Sequence, residues 1–159
     1  MIVRLAEKGD LTTVFSLYKE AVGRDGCAWD EEYPGEFWLG KDFETGNLYV
    51  LADEKNAPVG AASVVYENEL NDQADWNEKE NAREIARVVI GKAHAGQGLA
   101  AFMLEKLFDR LKASGVRAVH LSVSDQNPPA IKTYLKLGFS FLGECDMYGH
   151  HFYLCEKIL

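Results

Sequence analysis

A glycine-rich run in the middle of the chain has the residue types of an anion-binding turn. The run is Gly96-Gln97-Gly98-Leu99-Ala100, between an apolar segment and a segment with helical periodicity. Glycines let the backbone approach a ligand closely, and the first amides of a helix have no partners within the helix. Those amides and the positive end of the helix dipole attract phosphates. We therefore predict a site for the pyrophosphate of a nucleotide-bearing cofactor; glycines that serve only a tight turn are the simpler alternative.

Two kinds of nucleotide cofactor fit the spacing of these glycines. Gly96, Gly98 and Ala101 match the dinucleotide fingerprint G-x-G-x-x-A. That fingerprint normally lies in the first strand-to-helix turn, with an acid about twenty residues further on at the end of the next strand. Here the turn lies beyond the midpoint of the chain, and the first acid past the next predicted strand is Asp125. The surroundings therefore argue against a dinucleotide.

Residues downstream of the glycines favour a different cofactor. Residues 85–101, the run Asn127-Pro128-Pro129-Ala130 and residues 134–139 together resemble the GNAT superfamily of N-acetyltransferases. In that family a hydrophobic strand leads to Q/R-x-x-G-x-G/A at a helix start, and N-x-x-A-x-x-x-Y-x-x-x-G-F follows. Both halves occur here in the family's order and spacing. Ala95 replaces the leading Gln or Arg, so backbone amides must supply most of the site.

The resemblance implies acetyl-CoA as the cosubstrate and assigns residues to it by position. Val88, Val89 and Ile90 would align the pantetheine and the acetyl carbonyl along the strand edge. Asn127 would contact the cofactor arm from the next strand. The pyrophosphate would bind the turn and the first helical residues, namely Gly96, Gln97, Gly98, Leu99, Ala100 and Ala101.

Direct acetyl transfer to an amine needs a base for the amine and an acid for the leaving thiolate. The resemblance implies Tyr134 as the acid, and a phenol with an ordinary pKa of about 10 can donate to a thiolate; a core tyrosine is the alternative. Glu84 begins the central strand where several family members carry a glutamate, and an ordinary strand-end charge is equally open. The position of the base in other members is Ser122, which cannot serve. If Glu84 is the base, desolvation should raise its pKa toward neutrality.

Most of the negative charge falls in two segments of a chain with a net charge of −8. Residues 25–44 contain seven acids and one lysine, and residues 67–84 contain seven acids and two basic residues. A solvated surface explains such segments, but the resemblance places both at the acceptor site. We therefore expect a cationic amine to be selected by charge and by cation–π contact. The residues expected to do so are Trp29, Asp30, Glu31, Glu32, Tyr33, Tyr148 and the loop 67–80.

Other chemistries are not indicated. The four histidines, His94, His120, His150 and His151, lack metal-ligand spacing, so we predict packing or surface roles and no metal. Cys27, Cys145 and Cys155 form no C-x-x-C pair and suggest free structural thiols. No nucleophile motif supports a covalent acyl-enzyme. The absence of clustered Lys and Arg argues against nucleic acid. Without a membrane-span or signal-peptide pattern we expect no membrane partner and a cytoplasmic location.

The elements that must position these residues alternate along the chain. Apolar spacing predicts strands over residues 2–5, 47–52, 59–66, 82–90, 116–123, 139–147 and 151–159. It predicts helices over 10–22, 98–114 and 128–136, and a short helix with Pro34 in its first turn. A long loop is predicted over 67–83, with a helical turn near Trp76. This order describes one α/β (α+β) domain over residues 1–159. It would contain a mixed, mostly antiparallel sheet with a central parallel crossover and helices on both faces.

The function we predict is acetyl-CoA-dependent N-acetylation of a primary amine on a small cationic molecule. Two alternatives stay open: a non-catalytic acyl-CoA-binding regulatory module, and acetylation of a protein amino group. A nucleotide-binding oxidoreductase fragment is disfavoured by the order of elements. The acceptor and the acyl length are not fixed by the sequence. A homodimer also stays open, because a buried hairpin and an intersubunit hairpin have the same pattern.

Overall fold

The computed structural model describes residues 1–66 and 69–159. Its strands are β1 Ile2–Leu5, β2 Leu48–Ala52, β3 Pro58–Val65, β4 Ala82–Ile90, β5 Ala118–Ser124, β6 Ser140–Met147 and β7 His150–Ile158. Its α-helices are α1 Leu11–Ala21, α2 Glu36–Glu44, α3 Leu99–Ala113 and α4 Pro128–Lys136, and single 3-10 turns cover Lys8–Asp10 and Lys92–His94. The predicted order of strands and helices is confirmed.

The described strands form one seven-stranded sheet in the order β1-β2-β3-β4-β5-β7-β6. Five neighbouring pairs are antiparallel, and β4 and β5 are the parallel pair. A parallel pair needs a crossover, and α3 supplies it. The predicted mixed sheet with a central parallel unit is therefore confirmed.

Helices cover both faces of the sheet. The amphipathic helices α1 and α2 bury residues such as Val14 and Leu39 against β2, β3 and β4, where Val89 faces them. The apolar stripe of α3 packs on the opposite face, together with α4. On that face Ile85 of β4 is buried beside Met103. Alternate residues of β4 therefore point to different layers, since side chains alternate along a strand.

Two local predictions are wrong. Pro34 does not lie in the first turn of α2, which begins at Glu36. The carboxylate of Asp30 accepts from the amides of Glu32 and Tyr33 at 2.8 Å each and closes a separate turn before the helix.

The second wrong prediction is the helical turn near Trp76. The indole N–H of Trp76 donates to the carbonyl of Leu70 at 2.8 Å, and the next two amides, of Asn77 and Glu78, bond to the carboxylate of Glu156. With these amides committed to a distant strand, no helical turn forms.

No helix in the described ranges is both long and apolar enough to span a bilayer. The three cysteines are unpaired, and Cys155 is buried.

Candidate active site

A gap between β4 and β5 defines the candidate site. The two strands pair over only three positions, the last of which is Glu84 opposite His120. Beyond that point β4 continues along β3 and β5 continues along β7. A bulge at Arg87, whose φ is +52°, redirects β4 where it leaves β5. The strands therefore separate immediately after Glu84.

The glycine turn follows β4 and opens α3. Gly96 and Gly98 have φ of +75° and +73°, a conformation that favours glycine over other residues. Side chains at either position would meet open space. Within the described part of the chain, no group accepts a hydrogen bond from the amides of residues 96–101. An exposed turn with free amides at the start of a 15-residue helix fits a pyrophosphate.

The three β4 residues assigned to the cosubstrate lie along the separated part of the strand. Val88 and Ile90 contact the core beneath α3, and Val89 contacts the core beneath α1. The carbonyl of Ile90 accepts from a guanidinium nitrogen of Arg24 at 2.8 Å. The segment after α1 is thereby tied to the end of β4.

Asn127 and Tyr134 lie on the α4 side of the gap. The side chain of Asn127 caps α4 by accepting from the amide of Ala130 at 3.3 Å, so its oxygen has a structural role. Tyr134 is buried, and its ring meets that of Phe139 edge-on at 5.5 Å. Burial raises the pKa of Tyr134 above its ordinary value. The phenol is therefore a neutral hydrogen-bond donor at physiological pH.

Glu84 belongs to the opposite layer, beneath α1 and α2. Its neighbour along β4, Ile85, packs under α3, so the carboxyl of Glu84 points to the other face. It is half-buried, and burial raises its pKa to about 7, while the positive charge of Arg87 opposes the rise. The carboxyl of Glu69 repels it, and the amide of Glu69 donates to it. A carboxyl with this pKa can accept a proton near neutral pH.

Arg87 and Asp42 form a buried ion pair next to Glu84. The guanidinium donates to both oxygens of Asp42, at 2.7 and 2.9 Å, and the two side chains are 6% and 4% exposed. The third guanidinium nitrogen donates to the hydroxyl of Tyr33 at 3.2 Å. Ser63 of β3 also donates to Asp42, at 2.5 Å. Burial by itself would lower the pKa of Arg87, but the hydrogen bonds and charges of Asp42 and Tyr33 together have the larger effect and the pKa is raised.

The predicted acceptor residues separate into two groups. Tyr33 is half-buried beside Arg87; burial raises its pKa, and the negative charge of Glu84 adds to the rise. Trp29 packs edge-on against Tyr18 of α1 at 5.5 Å. Asp30, Glu31 and Tyr148 are exposed. The carboxylate of Asp30 accepts within its own turn, and that of Glu31 lies 4.0 Å from Lys19. Tyr148 is 86% exposed at the tip of the last hairpin.

The remaining acids of the predicted acceptor site come from both acidic segments. Glu32 is exposed. Glu67 of the second acidic segment lies outside the described residues. The structure therefore brings Tyr33 and Glu84 together, and shows Asp30, Glu31 and Tyr148 as surface residues.

The loop before β4 is held by a buried carboxylate. Glu156 of β7, 2% exposed, accepts from the side chain of Asn77 at 2.7 Å and pairs with His120 at 2.9 Å. The indole of Trp76 stacks on His120 at 4.0 Å. His120 therefore has a packing role, as predicted, and His151 pairs with Asp146 and Glu144 at the surface. No group of ligating side chains within the described ranges could hold a metal ion.

Sequence reasoning missed the importance of Asp42 and Arg87. Arg87 is the charged residue that interrupts the apolar run of β4, and a charge in a covered strand requires a buried partner. That signal was present. Its partner is 45 residues away, in a segment with several acids, so the pairing was not readable.

A sheet whose central parallel strands separate next to a glycine turn belongs to the class of α/β proteins in which ligands bind at the carboxyl ends of the strands. Residues 12–139 match the model of the Acetyltransferase (GNAT) family. The chain belongs to the GNAT family of acetyltransferases, and acetyl-CoA is its cosubstrate.

Individual relatives agree with this membership. The chain is 23% identical over 158 residues to the L-methionine sulfoximine/L-methionine sulfone acetyltransferase of Salmonella typhimurium, covering 96% of this chain and 87% of that one. It is 22% identical over 158 residues to an L-amino acid N-acyltransferase of Escherichia coli, with the same two coverages.

Solved structures share the fold. A GNAT-family acetyltransferase from Streptococcus agalactiae superposes with a TM-score of 0.86 at 20% identity, covering 99% of this chain and 95% of that one. A phosphinothricin acetyltransferase from Sinorhizobium meliloti in complex with AcCoA gives a TM-score of 0.78 at 22% identity, covering 99% and 88%. The predicted family, fold, acyltransferase class and cosubstrate are thus confirmed. The cytoplasmic location, the domain bounds and the homodimer stay predictions.

Proposed function

We propose that this acetyltransferase acetylates the primary amine of a small molecule by direct transfer, with Glu84 as base and Tyr134 as acid. The observation that carries the proposal is the separation of β4 and β5 immediately after Glu84. A half-buried carboxyl with a pKa of about 7 at the point where the strands part supports a base there, and Tyr134 on α4, the helix that follows β5, would supply the acid.

Acetyl-CoA supplies the activated acetyl group, and the new bond joins the amine nitrogen to the acetyl carbon as the carbon–sulfur bond breaks. Glu84 accepts the proton that the amine loses. The hydroxyl of Tyr134, kept neutral by burial, donates to the leaving sulfur. The carboxyl and the phenol belong to opposite layers of the sheet, which suits groups that act on the two sides of one carbonyl.

The cosubstrate would be bound chiefly by the backbone. The amides of residues 96–101 would hold the pyrophosphate, and Val88, Val89 and Ile90 would align the acyl arm. Because the oxygen of Asn127 caps α4, we assign the contact with the arm to its amide nitrogen. Gly26 allows the backbone of Asn127 to pack closely against it, because a Cβ at position 26 would lie only 2.9 Å from the Cα of Asn127.

The acceptor would bind under α1 and α2, beside Tyr33 and Trp29. The exposed acids Asp30 and Glu31, with Tyr148, would act at longer range by attracting a cation. Small amine-bearing acceptors agree with the names of the relatives, which act on methionine sulfoximine, methionine sulfone and amino acids.

A thiol-release assay over a panel of small amines tests the proposed function. We expect amine-dependent release of free thiol from acetyl-CoA, strongly reduced in Tyr134→Phe. Binding of acetyl-CoA with no thiol release on any amine would contradict the proposal and favour a non-catalytic module. Release that requires a protein amino group would assign a protein acceptor instead.

A further inference from the structure

Arg87 is the cation that a carboxylate-bearing acceptor would need, and it is already occupied. A guanidinium recognises a carboxylate through two parallel N–H groups. In this protein Nε and Nη2 of Arg87 both donate to Asp42, at 2.7 and 2.9 Å, and Nη1 donates to Tyr33. Only 6% of the side chain is exposed. Three of the five guanidinium N–H groups are engaged in this way, and the parallel pair on Nε and Nη2 is taken by Asp42. Burial of the side chain keeps the other two away from a carboxylate that enters from solvent.

The other cations near this layer are also engaged or lie at the surface. Arg24 donates to the carbonyl of Ile90 at 2.8 Å and to Glu20 at 2.6 Å. Lys19 faces Glu31. The ammonium of Lys41 lies 5.4 Å from the ring centre of Trp38, on an exposed side chain.

The charges that face Glu84 are mainly negative. The carboxyl of Glu69 comes from the loop before β4, and that of Asp42 comes from α2. Arg87 is the cation that acts on Glu84, and Asp42 balances it. A carboxylate placed next to the amine being acetylated would therefore meet like charge and no partner, which disfavours its binding.

We propose that Asp42 is a specificity-determining residue: by clamping Arg87, it restricts this acetyltransferase to amines that carry no carboxylate beside the reacting nitrogen. This inference rests on the proposed function and names its substrate class. It sets this chain apart from relatives named for L-methionine sulfone and L-amino acids, in which the acceptor carries an α-carboxylate. Asp42 does not touch the acceptor and acts through Arg87.

Matched acceptor pairs test the proposal on the wild-type protein. Agmatine and L-arginine differ by one carboxylate beside the same nitrogen, and L-methionine sulfone and its decarboxylated analogue form a second, uncharged-tail pair. We expect kcat/KM to be about a hundredfold higher for the member of each pair that lacks the carboxylate. Equal or better use of the amino acids would overturn the proposal.

Variants test the role of Asp42. In Asp42→Asn the side chain that holds Arg87 loses its charge, so Arg87 can bind a carboxylate of the acceptor. The ratio of kcat/KM between the members of each pair should therefore fall by about tenfold. Asp42→Glu should keep it, and Arg87→Gln added to Asp42→Asn should restore it. An unchanged ratio in Asp42→Asn would overturn the inference. Acetyl-CoA affinity and the thermal midpoint of each variant show whether it is folded. If Asp42→Asn does not fold, the acceptor pairs on the wild-type protein still test the substrate restriction.

Failure of this inference is distinguishable from failure of the proposed function. No thiol release on any amine would remove both. Release on both members of each pair at equal rates would leave the acetyltransferase proposal intact and remove the restriction alone.

Discussion

The proposed binding region for the cosubstrate, here called the cosubstrate side, and the proposed binding region for the acceptor, here called the acceptor side, are made from different parts of the chain. The cosubstrate side is a short continuous run, residues 96–101, whose backbone amides face solvent at the start of α3. The acceptor side joins side chains from three separate segments around a buried ion pair: Tyr33 from a loop, Asp42 from α2 and Arg87 from β4.

This difference determines what each side tolerates. A site made of amides depends on backbone conformation, so the replacement of the motif's leading Gln or Arg by Ala95 removes little. A site made of buried charges depends on balance, because the loss of one partner leaves the other charge unpaired. The acceptor side should therefore be more sensitive to single substitutions.

The largest effect is expected at Glu84. Glu84→Gln keeps the size of the side chain and removes the proton acceptor, so kcat should fall by about a thousandfold or more. Steady-state kinetics on the best amine, with acetyl-CoA affinity measured separately, check this. Glu105→Gln, an exposed acid of α3, is the control and should leave kcat unchanged. A Glu84→Gln enzyme with near wild-type kcat would remove the base from the acceptor side.

The ion pair should show the next largest effect, in stability. Asp42→Ala leaves Arg87 buried without its counterion and should lower the free energy of unfolding by about 3 to 5 kcal/mol. Replacing both partners, as Asp42→Ala with Arg87→Met, should recover part of the loss. Urea unfolding measures both values. A loss in Asp42→Ala of under about 1 kcal/mol, typical of exposed pairs, would show that the pair is not buried in solution.

A smaller effect is expected on the α4 side. Tyr134→Phe removes one donor from the leaving sulfur, and kcat should fall by about a hundredfold with acetyl-CoA affinity retained. Tyr153→Phe, at a half-buried tyrosine of β7, should have no effect on kcat. If both variants lose activity equally, the role of Tyr134 is packing.

The sequence predicts the cosubstrate side well because that side is local. The glycines, the helix after them and α4 lie in segments whose spacing can be read directly. The predicted bounds of α4, residues 128–136 just before Gly138, are those that the structure shows. Positive φ at Gly96 and Gly98 gives the physical reason for these residue types.

The acceptor side could not be predicted to the same extent because it depends on long-range contacts. Asp42 and Arg87 meet across 45 positions, and among several acids nothing marks Asp42 as the partner. Asp30 has a side chain of the type expected to bind a cation, but its carboxylate accepts from a backbone amide and closes a turn. The prediction of a helical turn near Trp76 is wrong because Leu70 and His120, neither adjacent to it in sequence, hold its side chain.

The smallest effect is expected at the glycine turn. Gly98→Val forces a β-branched residue to a φ of +73°, distorts the amides and should weaken acetyl-CoA binding by about tenfold. Gly115→Val is a matched control at the other end of α3, with φ of +89° and open space around it. It should cost similar stability and leave the affinity unchanged. Unchanged affinity in Gly98→Val would remove the turn from the cosubstrate site.

The pH dependence of kcat/KM for the amine tests the central claim, that Glu84 is the base, most directly. This ratio reports groups of the enzyme before the amine binds, and a base must be unprotonated to act. The value of kcat/KM should therefore fall below a pKa of about 7, by about tenfold for each pH unit. The residual activity of Glu84→Gln should not show this fall. A wild-type kcat/KM that is constant from about pH 5.5 to about pH 8, or the same fall in Glu84→Gln, would contradict the assignment of Glu84.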